Sequence, residues 1–384
     1  MADVAALLNR TPEPKAPVIP KRQKPGAAVA LSGGGYRAML FHVGALRRLN
    51  EAGFLPHIAQ FSSVSGGSIT SAVLGMHWAD LDFDSEGVGQ GFDIVEKKLF
   101  AFAGKWVDVT SVVSGALTPR ASIADKVTKR YAKHLFRETT LQDLPEGREF
   151  VINATNLQTG RLVRFGRDKI ATYGVGEIRE PGLDLASAVA ASSAFPPVLS
   201  PKVLSFADDE WKGRGELAEP PYTTHLTLAD GGVYDNLGLE RTSYFHTALV
   251  SDGGAPFKLK PSLKLDWVLQ SKRAWLTTDR QVRALRKRQL IAAYKRRERL
   301  GTYWGIATDI EGYRDDDLAD PLPCDTRATT ELANIKTMLR PISKRDRYRL
   351  INWGYVVCDA AIRTHVDRSI PRPADIPHPK YPLT

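Results

Sequence analysis

A chain of 384 residues with 43% apolar composition can bury a full core without staples. Its two cysteines, Cys324 and Cys358, lie far apart in no Cys/His cluster, which excludes a disulfide framework or a zinc site. Fifty-three Lys and Arg against 43 Asp and Glu give a net charge of +10, which favours an anionic partner without choosing among nucleic acid, membrane surface and acidic protein.

The opening MADVAALLNRTPEP has no basic region ahead of its apolar patch and does not read as a signal peptide. No run of about 18 apolar residues is present to span a bilayer, so the expected location is cytoplasmic. Residues 1–26 read as a flexible Pro/Lys-rich leader, and a single domain is expected over 27–384, with its core in 27–250 and a basic, helical C-terminal extension over 258–384. Within the core the pattern predicts a strand over 27–32, a glycine turn, a helix over about 37–52, a strand over 58–64 and a helix over 66–77. That alternation is a βαβ unit with parallel strands.

Residues 80–91, DLDFDSEGVGQG, resemble the start of a calcium loop but carry Ser85 and Gly91 where such loops need glycine and glutamate, so the stretch reads as a solvated turn. REFVINATNLQTGRLVRFG predicts two strands about a Thr159-Gly160 turn. LDLASAVAASSAFPPVLSP predicts a small-residue helix stopped by Pro196 and Pro197, and HLTLADGG a short strand ending at Asp230, parallel to the others. From Arg280 to Arg299 nine Lys/Arg interleave with Val282, Leu285, Ile291 and Leu300 as an incomplete apolar stripe. This stretch reads as a solvated helix packed on the core, as a face drawn to anionic membrane or, least favoured, as a nucleic-acid contact.

The glycines of LSGGGYR, between a strand and a helix, satisfy G-x-G-x-x-A through Gly33, Gly35 and Ala38. A dinucleotide site also needs a carboxylate at the end of the second strand, and none lies between Glu51 and Asp80. The second strand instead runs into SSVSGGS, which places Ser65 on a strand-to-helix turn followed by Gly66 and Gly67, the layout of a nucleophile elbow. Ser63 stands where the G-x-S-x-G pattern has its first glycine, and fits poorly if that position needs positive φ.

Both turns follow consecutive parallel strands, so they emerge on one edge of the sheet. The amides of Gly33, Gly34, Gly35 and Tyr36 then point at the oxygen that turns negative when Ser65 attacks a carbonyl. Arg37 either adds positive potential there or anchors the loop through a salt bridge. None of the eight histidines sits in a recognisable constellation; His42 and His57 flank the first helix. Asp230, followed by Gly231 and Gly232, is the expected base for a Ser-Asp dyad, with Asp235 as a fallback in turn-like YDNLG. An α/β-hydrolase triad is disfavoured, because one βα unit separates the glycine loop from Ser65 and no histidine is well placed.

On these residues the chain resembles the patatin-like phospholipases. The likeness rests on GGGYR (Gly33 to Arg37), SVSGG around Ser65, and DGG (Asp230 to Gly232), with NATNLQTGR and ASSAFPPVLSP as supporting blocks, all in order over about 27–250. It implies a three-layer α/β/α fold about a central, mostly parallel sheet, and hydrolysis of phospholipid or lysophospholipid acyl esters by Ser65 and Asp230 without metal or cofactor. Anionic membrane, through Arg280 to Arg299, is then the expected peripheral partner, with no nucleic acid. The alternative is a non-catalytic or activator-gated lipid-binding module on the same fold.

Overall fold

The computed structural model describes Ala5 and residues 24–107, 123–197, 199–263, 266–315 and 318–384, so most of the expected leader lies outside the described residues. Its last three residues belong to the first strand, β1 (Lys24–Leu31), which starts earlier than the sequence indicates. The Lys24 amide donates to the Tyr244 carbonyl at 2.7 Å, and a register shift around Gly26 absorbs the extra residues.

β1 is apolar throughout its buried part because it lies between two parallel neighbours, β2 (Ile58–Val64) and β9 (Phe245–Asp252). Its alternate side chains feed two cores. Val29 and Leu31 join the main core with helices α1 (Gly35–Glu51) and α2 (Gly66–Met76), while Ala30 joins a smaller one with Ala248, Val250 and Leu290. Two cores on opposite faces of one sheet make the three-layer α/β/α architecture.

The ten-stranded sheet is mixed. Parallel pairing runs from β10 (Leu300–Gly305) through β9, β1 and β2 to β3 (Glu149–Asn156). Beyond β3 the strands β4 (Arg161–Phe165), β5 (Lys169–Thr172) and β6 (Gly176–Arg179) are antiparallel. The helix α3 (Leu185–Ser192) and the strand β7 (Lys202–Ser205) follow, and β7 pairs with β8 (His225–Asp230).

β8 corrects one expectation: it runs antiparallel to β3, because the chain re-enters the sheet from β7 at the opposite end. β2 occupies one edge of β3 as far as the pair Val64 and Asn153. β8 continues the sheet from the pair Asp230 and Ala154. The two strands therefore bring their C-terminal ends to the same level of β3, and the residue after Val64 is Ser65.

The core does not stop at residue 250. β10 extends the sheet, and the helix that ends the fold (Lys344–His365) buries Ile351, Trp353 and Val357 in the main core. It crosses α1 where Gly44 faces Gly354. A Cβ on Gly44 would lie 1.8 Å from the Ile351 carbonyl oxygen, and one on Gly354 would lie 1.8 Å from that of Phe41. The helix α4 (Trp267–Lys295) behaves differently: Leu290 is its one buried residue, while Val282 and Leu285 of the expected apolar stripe are exposed, and Leu300 begins β10. In the turn at 80–91, Asp84 accepts the amides of Glu86 and Val88, each at 2.9 Å.

Candidate active site

β1 leads into a loop whose amides are sorted by what they already bond. The Gly33 amide donates to the Asn236 carbonyl at 3.0 Å and the Tyr36 amide to that of Met338 at 3.2 Å. Both residues were expected among the oxyanion donors; the Met338 and Asn236 segments close over the loop and occupy their N–H groups. Gly34 and Gly35 meet no acceptor among the described residues, and α1 starts at Gly35 with Gly34 as its N-cap. Their φ values of 149° and 62° turn the backbone in a way that side-chain-bearing residues resist. Two free amides at a helix N-terminus form a site for developing negative charge.

The elbow packs against this loop backbone to backbone. A Cβ on Gly66 would lie 2.2 Å from the Gly35 carbonyl oxygen, the Gly67 amide donates to the Ser32 carbonyl at 3.2 Å, and a Cβ on Gly33 would touch that of Ser65 at 3.3 Å. Ser65 carries the positive φ, 52° with ψ −116°, and its amide donates to Ser192 Oγ at 2.9 Å. Ser63 stays in β2, its hydroxyl donating to the Val151 carbonyl at 3.1 Å and accepting from Ser68 at 3.1 Å. The strained position is thus that of Ser65 itself, and Ser63 keeps an ordinary strand backbone.

Asp230 is fixed from three sides. Its amide donates to the Ala194 carbonyl at 2.8 Å, its carbonyl accepts from Thr155 Oγ1 at 2.9 Å, and its Oδ1 accepts the Gly232 amide at 2.7 Å. The Gly231 amide donates to the Ser192 carbonyl at 3.3 Å, tying this turn to α3. Oδ2 is buried and meets no donor in good hydrogen-bond geometry; the Ser65 hydroxyl is the side-chain donor near enough to act on the carboxyl. Burial pushes the acid up from the ordinary 3.8 to about 7, against the opposing pull of the Gly232 amide and the Ser65 hydroxyl, with Asp279 adding a smaller upward push. Asp235 is committed elsewhere, accepting the Leu237 and Glu240 amides and pairing with Arg286 at 3.6 Å.

Arg37 is fully buried and anchors the loop, though through carbonyls: Nε and Nη2 donate to Gly253 at 3.2 and 3.0 Å, and Nη1 to Ile335. Burial lowers its pKa to about 10. His42 lies within α1, beneath the loop, 2.9 Å from the Ser32 carbonyl and 2.8 Å from Ser251 Oγ. Burial depresses its pKa to about 4, and both of its ring nitrogens are engaged by Ser251 and Ser32. Asp252, at the end of β9, accepts from Ser32 Oγ, the Gly254 amide and Tyr303 and pairs with Arg283 at 3.1 Å.

A cleft of about 1380 Å³ opens above these groups, with Gly33 to Gly35, Ser65 and Asp230 at its floor. One wall is α4, which presents Leu269, Arg273, Leu276, Arg280, Arg283 and Lys287 at intervals of three and four residues. Sequence reasoning missed Ser192, Asn236, Met338 and Asp252. Ser192 stood in a block noted only for small residues and Asn236 in one read as turn chemistry, while Met338 acts through its backbone and left no side-chain signal. Among the described residues no cluster of three or more His, Cys, Asp or Glu is placed to hold a metal, and no helix is long and apolar enough to cross a membrane.

A family model described as Patatin-like phospholipase matches residues 29–242. Among solved structures, the chain is similar to human GIVD cytosolic phospholipase A2 in complex with methyl gamma-linolenyl fluorophosphonate, at 13% identity over 88% of this chain and 57% of that one, with a TM-score of 0.48. It is also similar to VipD from Legionella pneumophila, at 14% identity over 88% of this chain and 66% of that one, with a TM-score of 0.32. The chain thus spans under two thirds of the length of the cytosolic phospholipase. Comparison with curated protein sequences returns no relative.

Proposed function

The chain belongs to the patatin-like phospholipase family, and from that premise we propose that it is a lipid acyl hydrolase of the phospholipase A or lysophospholipase type, acting through Ser65 and Asp230. The observation that most supports this reading is the convergence of β2 and β8 at one level of β3, which sets a strained serine against a buried carboxylate beside two free amides.

In the first half-reaction the Ser65 hydroxyl gives its proton to Asp230 Oδ2 as Oγ bonds to the acyl carbonyl carbon. The carbonyl oxygen becomes an oxyanion held by the Gly34 and Gly35 amides. The intermediate collapses, the ester C–O bond breaks, and the leaving alkoxide takes the proton from Asp230. In the second half-reaction water gives a proton to Asp230 and attacks the Ser65 ester, and the proton returns to Ser65 as the fatty acid departs. A base with a pKa near 7 is matched to this shuttle, because it both takes and returns the proton at neutral pH. The scheme calls for no cofactor. Phospholipid or lysophospholipid at an anionic membrane, reached from the cytoplasm, is the proposed substrate.

Incubation of the wild type, Ser65→Ala and Asp230→Asn with mixed phospholipid and lysophospholipid vesicles, with free fatty acid read by mass spectrometry, tests this. Release by the wild type alone supports the dyad. A folded wild type that releases no fatty acid and takes up no fluorophosphonate probe ends the hydrolase reading and leaves a non-catalytic or activator-gated lipid-binding module.

A further inference from the structure

The basic run from Arg280 to Arg299 is largely occupied within the protein. Arg283 pairs with Asp252, Arg286 with Asp235 and Glu240, and Arg296 with Glu298. Lys287 lies over the Tyr303 ring, Arg280 over that of Phe257, and Arg299 donates to the Thr242 and Phe245 carbonyls. In the chain just before it Lys258 donates to the Asn334 carbonyl at 3.5 Å and Arg273 to the Lys258 carbonyl at 2.9 Å, while Lys260 and Lys272 are left for solvent. Residues 257–273 hold five Lys/Arg against a single acid, Asp266, which caps α4 by accepting the Leu269 amide at 2.9 Å.

Within that stretch large apolar side chains stand in solvent: Leu259 is 85% exposed, Trp267 79%, and Leu263 and Val268 52% each. A cluster of this kind costs solvation unless something covers it, and an exposed tryptophan beside leucines and lysines is the composition of an interfacial anchor. Its position adds a direction. Leu263 and Leu269, with Lys258 and Lys260, form the rim of the cleft whose floor holds Ser65, and Leu276 lies further along the same wall. Lys260 and Lys272 are exposed and make no ion pair among the described residues.

We propose that the exposed apolar patch of Leu259, Leu263, Trp267 and Val268, which reaches the cleft rim at Leu263 and is flanked by Lys260 and Lys272, is the surface by which this protein docks on an anionic lipid bilayer. The apolar side chains enter the headgroup and acyl boundary while the lysines meet lipid phosphates, which sets the cleft mouth against the membrane. This patch, in place of the Arg280 to Arg299 run, is the membrane face. This assignment rests on the hydrolase reading only for its purpose; the docking itself is measurable without turnover.

The test uses full-length Ser65→Ala protein, which leaves vesicles intact, sedimented with phosphatidylcholine vesicles with or without phosphatidylglycerol. Binding is expected with phosphatidylglycerol and much weaker without it. Leu259→Glu/Trp267→Glu and Lys260→Glu/Lys272→Glu should each lower partitioning about tenfold or more, whereas Arg288→Glu/Arg297→Glu should change it less than about twofold. Parental binding by either patch variant, loss of binding in Arg288→Glu/Arg297→Glu, equal binding to both vesicle types, or none to either overturns the assignment.

With Ser65 restored, the Leu259→Glu/Trp267→Glu variant should lose vesicle hydrolysis yet keep hydrolysis of a short-chain ester below its micellar concentration. That retained activity also certifies the fold. A wild type inactive on both substrates would defeat the hydrolase reading, while sedimentation would still decide the docking surface.

Discussion

The corner where the glycine loop meets the elbow and the helix α4 that walls the cleft above it obey opposite rules. In the corner, backbone touches backbone: Gly66 has no room for a Cβ against Gly35, and Ser65 is held at a φ of 52° with its amide bonded to Ser192. Along α4 one residue of 29 is buried, and the helix is held by ion pairs and ring contacts to Asp252, Glu240 and Tyr303. Under the proposed hydrolysis the contrast has a physical reason. Groups that must meet a reacting atom within a fraction of an ångström are fixed by packing that admits no alternative, whereas a wall that borders substrate needs only a shape and a charge.

The largest expected effect lies in the corner. Asp230→Asn should lower kcat/KM by about 10⁴-fold, the scale on which loss of a carboxylate partner disables serine catalysis. The wild-type kcat/KM should fall tenfold per pH unit below about 7 and level off above it, because the carboxylate must be free of its proton to act as base. Stability runs the other way. An acid whose folded pKa lies above its unfolded one holds its proton more tightly in the native state, so this group's contribution is full below about pH 4 and is lost as pH rises through 7. Asp230→Asn should therefore be more stable than wild type at pH 8, by at most about 4 kcal/mol, and lose that advantage at pH 4, as urea titrations at the two pH values would show. A flat pH–rate profile would remove Asp230 as the base.

Next comes Gly66→Ala, which should destabilise by about 3 kcal/mol and cost about 100-fold in turnover as the elbow and loop part. Ser65→Gly should abolish turnover yet raise stability by about 1 kcal/mol, since glycine relieves the strained backbone; an unchanged denaturation midpoint would mean the corner stores no strain. Smallest is Leu285→Ala on α4, expected within about 0.5 kcal/mol of wild type because the side chain is exposed. A large loss there would break the contrast between the two regions.

Much of the corner was legible in the sequence because its constraints are local. A strand, three glycines and a helix leave little choice of conformation, and Ser65 before Gly66 and Gly67 at a strand end dictates an elbow from neighbouring residues alone. Asp230 was legible as a strand end followed by glycines, but the direction of its strand was not: antiparallel pairing with β3 depends on where β7 enters, more than twenty residues earlier. The free amides could not be sorted either. Whether Tyr36 or Gly35 keeps its N–H free depends on a carbonyl of Met338, some three hundred residues away, and backbone acceptors carry no side-chain signature. The sequence by itself determined the elbow at Ser65, the glycine loop and the βα frame that carries them, since each follows from short-range sterics and periodicity. Only the tertiary structure decided which amides stay free, which carboxylate is buried to a pKa near 7, and which cations are left unpaired, because each depends on what the rest of the chain brings within hydrogen-bonding reach.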